Sequence, residues 1–114
     1  MSVWRVRLAR SAERDLAGIV RWTAANFGGQ QASAYVETIQ QALVALHDGP
    51  DVMGARMRDD IDLGIKTLHV ARMGRKGRHF VVFRVVEEQT IDVLRVLHDS
   101  MDLPAHLSSD DFQN

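Results

Sequence analysis

Residues His79 to Leu97 read HFVVFRVVEEQTIDVLRVL. Two apolar runs, 79–86 and 91–97, flank the polar break Glu87-Glu88-Gln89. Valine, isoleucine and phenylalanine dominate both runs, and such side chains suit a pleated surface. The first run is almost continuous, which predicts a central strand covered on both faces. The short polar break predicts a hairpin, so the two strands are antiparallel neighbours.

Working back along the chain, Ile65 to Val70 alternates Ile/Thr/His against Lys/Leu/Val and predicts another strand. Met73-Gly74-Arg75-Lys76-Gly77 is the turn that joins it to the central run. Asp51 to Gly64 shows no period and reads as a polar connection. Before it, Ala32, Tyr35, Val36, Ile39, Ala42, Leu43 and Leu46 keep helical spacing. So do Ala12, Leu16, Ile19, Val20, Thr23 and Phe27, which predicts a helix of about four turns capped by Ser11. Gly28-Gly29 separates the two helices, which must form an antiparallel hairpin. At the start, Trp4, Val6 and Leu8 alternate with Arg5 and Arg7 as a short strand.

The expected fold is therefore α+β: an N-terminal strand, a two-helix hairpin, then a three-stranded antiparallel meander. The helices cover one face of a sheet of about four strands. The chain of 114 residues makes a single domain, 1–107, with 108–114 as a C-terminal tail. The segment after His98, with Pro104 and apolar points at Met101, Leu103 and Leu107, reads as a short turn or helix.

Composition narrows the function classes. There are 0 cysteines, which excludes disulfides, thiolate zinc sites and iron–sulfur clusters. No apolar run is long enough to span a membrane, and arginines interrupt the first residues, against a secretory leader. A cytoplasmic location is expected. The net charge of −1 hides an asymmetry. From Gly64 to Val86 the charged residues are Lys66, Arg72, Arg75, Lys76, Arg78 and Arg84, all basic. Aspartates crowd Asp48–Asp62 and the end of the chain (Asp99, Asp102, Asp110, Asp111). This pattern fits either an acidic partner at the basic segment or a solvated hairpin tip.

Chemistry-bearing motifs are sparse. Gly74-Arg75-Lys76-Gly77 lies in a hairpin turn and lacks a following Ser or Thr, so it is not a phosphate loop. His47-Asp48 and His98-Asp99 are sequence neighbours that point apart, so neither makes a dyad. No metal site, cofactor or nucleophilic triad is expected. Ser100, Ser108 and Ser109 fall in the terminal segment. Arg84, Arg95 and His98 could hold a phosphate and move a proton, the minimum a ribonuclease needs. The alternatives are a partner-binding patch or an ordinary solvated face. Trp22 falls off the buried stripe of the first helix. It reads either as an interface anchor or as a cover for the core rim against the loop after Pro50. Tyr35 and Phe27 lie inside their stripes and read as core.

Taken together, several pieces resemble the ParE toxins of the RelE/ParE superfamily. They are Ala9-Arg10-Ser11-Ala12, Asp15-Leu16-x-x-Ile19, Asn26-Phe27-Gly28, Ala32-x-x-Tyr35, Gly49-Pro50 with Gly54, and His79–Val85. The most specific is the ending Arg95-Val96-Leu97-His98-x-x-Met101-Asp102. The resemblance spans nearly the whole chain and implies the fold already derived. It also implies a toxin of a type II toxin–antitoxin system that poisons DNA gyrase by binding and is silenced by a ParD-like antitoxin. Target engagement would fall to Arg95, His98, Met101 and Asp102. The antitoxin would cover Trp22, Arg72, Arg75, Arg78 and Arg84, folding as it binds and offering an acidic segment. The toxin alone would not bind DNA sequence-specifically. RelE relatives instead cut messenger RNA on the ribosome, and Lys66, Arg84, Arg95 and His98 match their pattern only in part. Phe83 stands where the family often has tyrosine. A remnant that binds antitoxin without toxicity is the third alternative.

Overall fold

The computed structural model describes residues 3–107. Its elements run β1 (Arg5–Leu8), α1 (Arg10–Phe27), α2 (Gly29–Ala45), β2 (Arg56–Met57), β3 (Lys66–His69), β4 (His79–Glu87), β5 (Thr90–His98) and α3 (Leu103–His106). The strands form one sheet in the order β1-β5-β4-β3-β2. The anticipated hairpin, β4 with β5, lies at its centre. β1 pairs parallel to β5, and β3 pairs antiparallel to β4.

Both faces of β4 are covered, as its unbroken apolar run requires. Against the helices lie Val81 and Phe83, packed with Ile91, Val93, Val96, Leu68 and Ile39. On the opposite face Val82 packs with Ile65, Leu94, Leu97 and Leu103, under Ile61, Phe80 and Leu107. The second face is thus closed by the turn before β3 and by α3 rather than by long helices.

Four details differ from the sequence reading. Within the supposed irregular connection, Arg56 and Met57 pair with Thr67 and Lys66, so the sheet has five strands and not about four. Two residues are too few for alternation to be seen. Ser11 is not the helix cap: Ala9 precedes the first turn, and its carbonyl accepts from Glu13 N–H at 3.0 Å. The Ala9 N–H bonds Val93 O at 2.9 Å, so the chain stays in the sheet up to Ala9 and turns helical at once. α1 has 18 residues, nearer five turns than four. Finally, Phe27 is 64% exposed and not core, because the far end of α1 stands off from the sheet.

Alternation in β5 is broken by a bulge. Val82 faces Arg95 and Phe83 faces Val93, so Leu94 is the extra residue. Strict alternation would group Arg95 with Ile91 and Val93. The bulge instead places Val96 on the helix side with them, and Leu94 with Leu97 on the other. Residues 108–114, including Ser108, Ser109, Asp110 and Asp111, lie outside the described residues.

Candidate functional site

Where α1 stands off, a groove of ≈ 1030 Å³ opens between that helix, the start of α2, the β3–β4 tip and the end of β5. Ile19, Trp22 and Phe27 line its helical wall; Lys76, Gly77, Arg78 and His79 form the wall opposite. Arg95, Val96, Leu97 and His98 lie along its β5 side, and Met101 also lines it.

The first constraint on this groove is an ion pair at the bulge. β1 pairs with β5 only as far as Leu8 opposite Val93, then leaves the sheet as α1. β5 beyond that point has lost its neighbour on one side. Asp15, on the second turn of α1, supplies the missing acceptor: its Oδ2 takes Val96 N–H at 2.9 Å. The same carboxylate holds Arg95 twice, Nε at 2.8 Å and Nη2 at 3.1 Å. A forked guanidinium matched to both carboxylate oxygens fixes orientation as well as distance. The side chains are 21% and 16% exposed, so water screens the pair only in part.

The second constraint gathers at the hairpin tip. Arg78 N–H donates to Tyr35 Oη at 2.9 Å, and Tyr35 Oη lies 2.6 Å from His79 Nδ1. We assign the proton of the short bond to the Tyr35 hydroxyl, which leaves the His79 proton on Nε2. Burial pushes the Tyr35 hydroxyl's pKa up. Burial first, and then the neighbouring His98, push the His79 pKa down to about 4, so this ring is neutral at pH 7. Its ring meets that of His98 edge-on, with centroids 5.2 Å apart. Asp99 ties the rear of the tip: Oδ2 is 2.8 Å from His69 Nε2 and Oδ1 accepts from Arg78 Nε at 3.0 Å. The His69 bond, ahead of Arg78, holds the Asp99 carboxyl below the usual carboxylate range.

Gly77 makes this closure possible. A Cβ there would lie 2.4 Å from Val70 Cγ2 and 3.2 Å from the Tyr35 ring and hydroxyl. The tip rests directly on α2 with no room for a methyl group.

The expected site residues divide accordingly. Arg95, His98 and Met101 line the groove, and so do Trp22 and Arg78, which the sequence reading assigned to a different partner. Trp22 is 61% exposed and packs edge-on against Phe27, not against the loop after Pro50. Asp102 is exposed, precedes α3 and does not line the groove. Arg72 donates to Met53 O, and Arg75 reaches Glu37 and Thr38, both away from the groove. Arg84 sits opposite Asp92 on β4 and is not part of the lining either. Arg84, Arg95 and His98 therefore do not converge as a phosphate-holding trio.

Two readings need correction. His98 and Asp99 do not simply point apart: β5 ends at His98, and the following turn leaves Asp99 Oδ1 3.7 Å from His98 Nδ1. The basic segment is also less bare than its sequence. Lys66 pairs with Asp51 at 2.6 Å, Arg75 with Glu37 at 3.5 Å and Arg78 with Asp99. Much of its acidic complement is inside the fold.

Sequence reasoning missed Tyr35, His79 and Asp99 as a unit, and Asp15 as the partner of Arg95. Tyr35 sits at a stripe position, which masks a hydroxyl that reaches across to β4. Among the described residues no three His, Cys, Asp or Glu side chains gather to hold a metal ion. Among the same residues, no helix is long and apolar enough to cross a membrane.

Residues 6–103 match the family model described as the ParE toxin of type II toxin–antitoxin system, parDE. Toxin ParE1 of Mycobacterium tuberculosis is 33% identical over 103 residues, covering 90% of this chain and 97% of its own length. Toxin ParE1 of Caulobacter vibrioides is 29% identical over 101 residues, covering 89% and 95%. Among solved structures, the chromosomal ParDE system from P. aeruginosa matches with a TM-score of 0.67 and 23% identity over 84% of this chain and 96% of that one, which shows the shared fold. The chain belongs to the ParE toxin family of type II toxin–antitoxin systems.

Proposed function

We propose that this ParE-type toxin acts by binding, that its target is DNA gyrase, and that a ParD-like antitoxin silences it by covering the groove. The observation that carries the reading is the groove itself. It combines an exposed aromatic pair, Trp22 and Phe27, with Arg14, Lys76 and Arg78 at its walls. Aromatic anchors beside cations are the composition of protein-binding hot spots. The geometry supports one surface for two partners, since Trp22 and Arg78 share it with Arg95, His98 and Met101. An antitoxin segment seated there would exclude the target by occupancy. Arg95 acts as a fixed support, because Asp15 already takes two of its donors.

The test is a gyrase supercoiling assay with purified toxin, with and without its antitoxin. Inhibition at micromolar toxin that the antitoxin reverses supports the reading. Unchanged supercoiling, together with no DNA-damage response on induction in cells, refutes it.

One observation favours a second reading, a RelE-like ribonuclease: the His79 and His98 rings lie edge to face in the same groove as Tyr35 and Arg78. Primer extension on translated messages separates the two. Cleavage that disappears in His98→Ala supports the nuclease; intact messages exclude it.

A further inference from the structure

The hairpin tip carries more titratable groups than a binding surface needs. Three histidines, a tyrosine and an aspartate meet there, contributed by α2, β3, β4, β5 and the turn after β5. The tip itself, from Arg72 to Arg78, contains no regular secondary structure. Its attachments to the body are Arg78 N–H and His79 Nδ1 on Tyr35 Oη, the Asp99 carboxylate on Arg78 and His69, Asp99 N–H on Arg78 O at 2.7 Å, Val70 N–H on His79 O at 3.0 Å, Arg72 on Met53 O, and Arg75 on α2. Of these, the Tyr35 and Arg75 bonds are the ones that reach α2.

We propose that Tyr35, His79 and Asp99 form a proton-sensitive clasp that holds the Lys76–Arg78 wall of the groove on α2 at neutral pH and releases it in acid.

The geometry supplies the mechanism. With His79 neutral, Tyr35 Oη accepts from Arg78 N–H and donates to His79 Nδ1, so one hydroxyl closes two attachments. When Nδ1 takes up a proton it becomes a donor. The hydroxyl must then accept two donors at once and turn its own proton elsewhere. The new cation is also half-buried. The groups around it are Tyr35 from α2, Arg78 on its own strand, His98 from β5, His69 from β3, Asp99 behind the tip and Asp15 from α1. His98 and His69 oppose the charge, whereas Asp99 and Asp15 favour it; burial and the two histidines outweigh the carboxylates. Asp99 is already engaged by His69 and Arg78, so it cannot turn to His79 without releasing one of them. The alternative for the protonated ring is to swing into water. Arg78, directly before it in the chain, and Lys76, three residues before it, then leave α2.

Because the clasped ring resists protonation and a released ring does not, each proton taken up favours release. A free imidazole titrates near pH 6.5, so the opening equilibrium of the tip rises at least about tenfold between pH 7.5 and pH 5. The groove wall that presents Arg78 is therefore ordered at neutral pH and loosened in acid.

The experiment is amide hydrogen exchange, read by NMR on the full chain at pH 7.5 and pH 5 and corrected for intrinsic rates. The reporter is the Arg78 amide, whose acceptor is Tyr35 Oη. The reference is the Ala9 amide, bonded to Val93 in the sheet. The expected result is a loss of Arg78 protection of about tenfold or more at pH 5, through an opening that low urea does not accelerate. His79→Asn keeps an acceptor at the Nδ1 position and cannot titrate, so its Arg78 protection holds at pH 5. Tyr35→Phe removes the shared hydroxyl, so its Arg78 amide is poorly protected at both pH values. Three results would each overturn the clasp. One is Arg78 protection that is equal at both pH values in the unsubstituted chain. Another is Arg78 exchange with the urea dependence of Ala9, which places the opening in global unfolding. The third is a pH response retained in Tyr35→Phe.

Discussion

Replacing Asp15 by alanine removes three accepted hydrogen bonds at once. The Arg95 guanidinium loses its counter-charge while 21% exposed, and the Val96 N–H loses its acceptor. Stripping one partner from a fully buried ion pair costs about 3–5 kcal/mol. Partial exposure lets water solvate the freed guanidinium and reduces this to about 2 kcal/mol. The orphaned N–H adds about 1 kcal/mol. Alanine's better helix propensity returns about 0.5 kcal/mol. The net expected loss is about 2.5 kcal/mol. With an unfolding entropy of about 2.1 cal/mol/K per residue over 114 residues, Tm falls by roughly 10 °C. Circular dichroism melts and urea titrations measure both quantities. Arg95→Met is expected to cost less than Asp15→Ala, because Asp15 would still hold Val96 N–H. A loss below about 1 kcal/mol in Asp15→Ala, or a larger loss in Arg95→Met, would falsify the role of Asp15 as a substitute strand neighbour.

Other perturbations follow from the same contacts. Gly77→Ala drives a methyl group into Val70 and the Tyr35 ring and should cost about 2 kcal/mol by urea denaturation; a change under 0.5 kcal/mol, on the scale of about 1–3 for overpacking, contradicts the close approach. Stability should fall as pH drops from about 6.5 to about 4. His79 titrates at about 4 when folded and near 6.5 when unfolded, so the unfolded chain binds the extra proton in that window. The loss from this group, screened by its partial exposure, is about 2 kcal/mol, and His79→Gln should flatten the curve. Asp99, whose pKa is held low, removes further stability as pH falls below the ordinary carboxylate range. Stability that is flat from pH 7 to pH 4 in the unsubstituted chain rules out the His79 effect. Trp22→Ala should leave folding nearly unchanged yet weaken antitoxin binding about 30-fold, the scale of a hot-spot residue; unchanged affinity by calorimetry removes the groove as the docking site.

The legible parts of this fold are those whose signal is periodic. The helix stripes from Ala12 and from Ala32, and the two valine-rich strands, are dictated by burial and show it in their spacing. Phe27 shows the limit of that logic. Its spacing belongs to the stripe, but the stripe outruns the sheet, and only the tertiary structure determines where cover ends. The bulge at Leu94 is invisible because Val93, Val96 and Leu97 beside it are apolar and suit either face. Arg95 is a charge within an apolar strand, a position where an arginine must pair, snorkel or face a partner. The sequence could not point to Asp15, which has no local relation to β5. The clasp was hidden for a similar reason: Tyr35 and His79 lie 44 residues apart, and each looks ordinary in its own segment. Charge counting left the basic segment to an acidic partner or to solvent, whereas Asp51, Glu37 and Asp99 neutralise several of its members.

We propose that the groove between α1 and the hairpin tip is the working surface of a gyrase-directed toxin. The most direct test is gyrase supercoiling titrated with the unsubstituted toxin, with the groove variants Trp22→Ala and Met101→Ala, and with Gln41→Ala on the exposed side of α2. The predicted result is inhibition by the unsubstituted toxin and by Gln41→Ala, with both groove variants weakened at least about tenfold. Inhibition of equal potency from all four proteins, or from none, contradicts the claim.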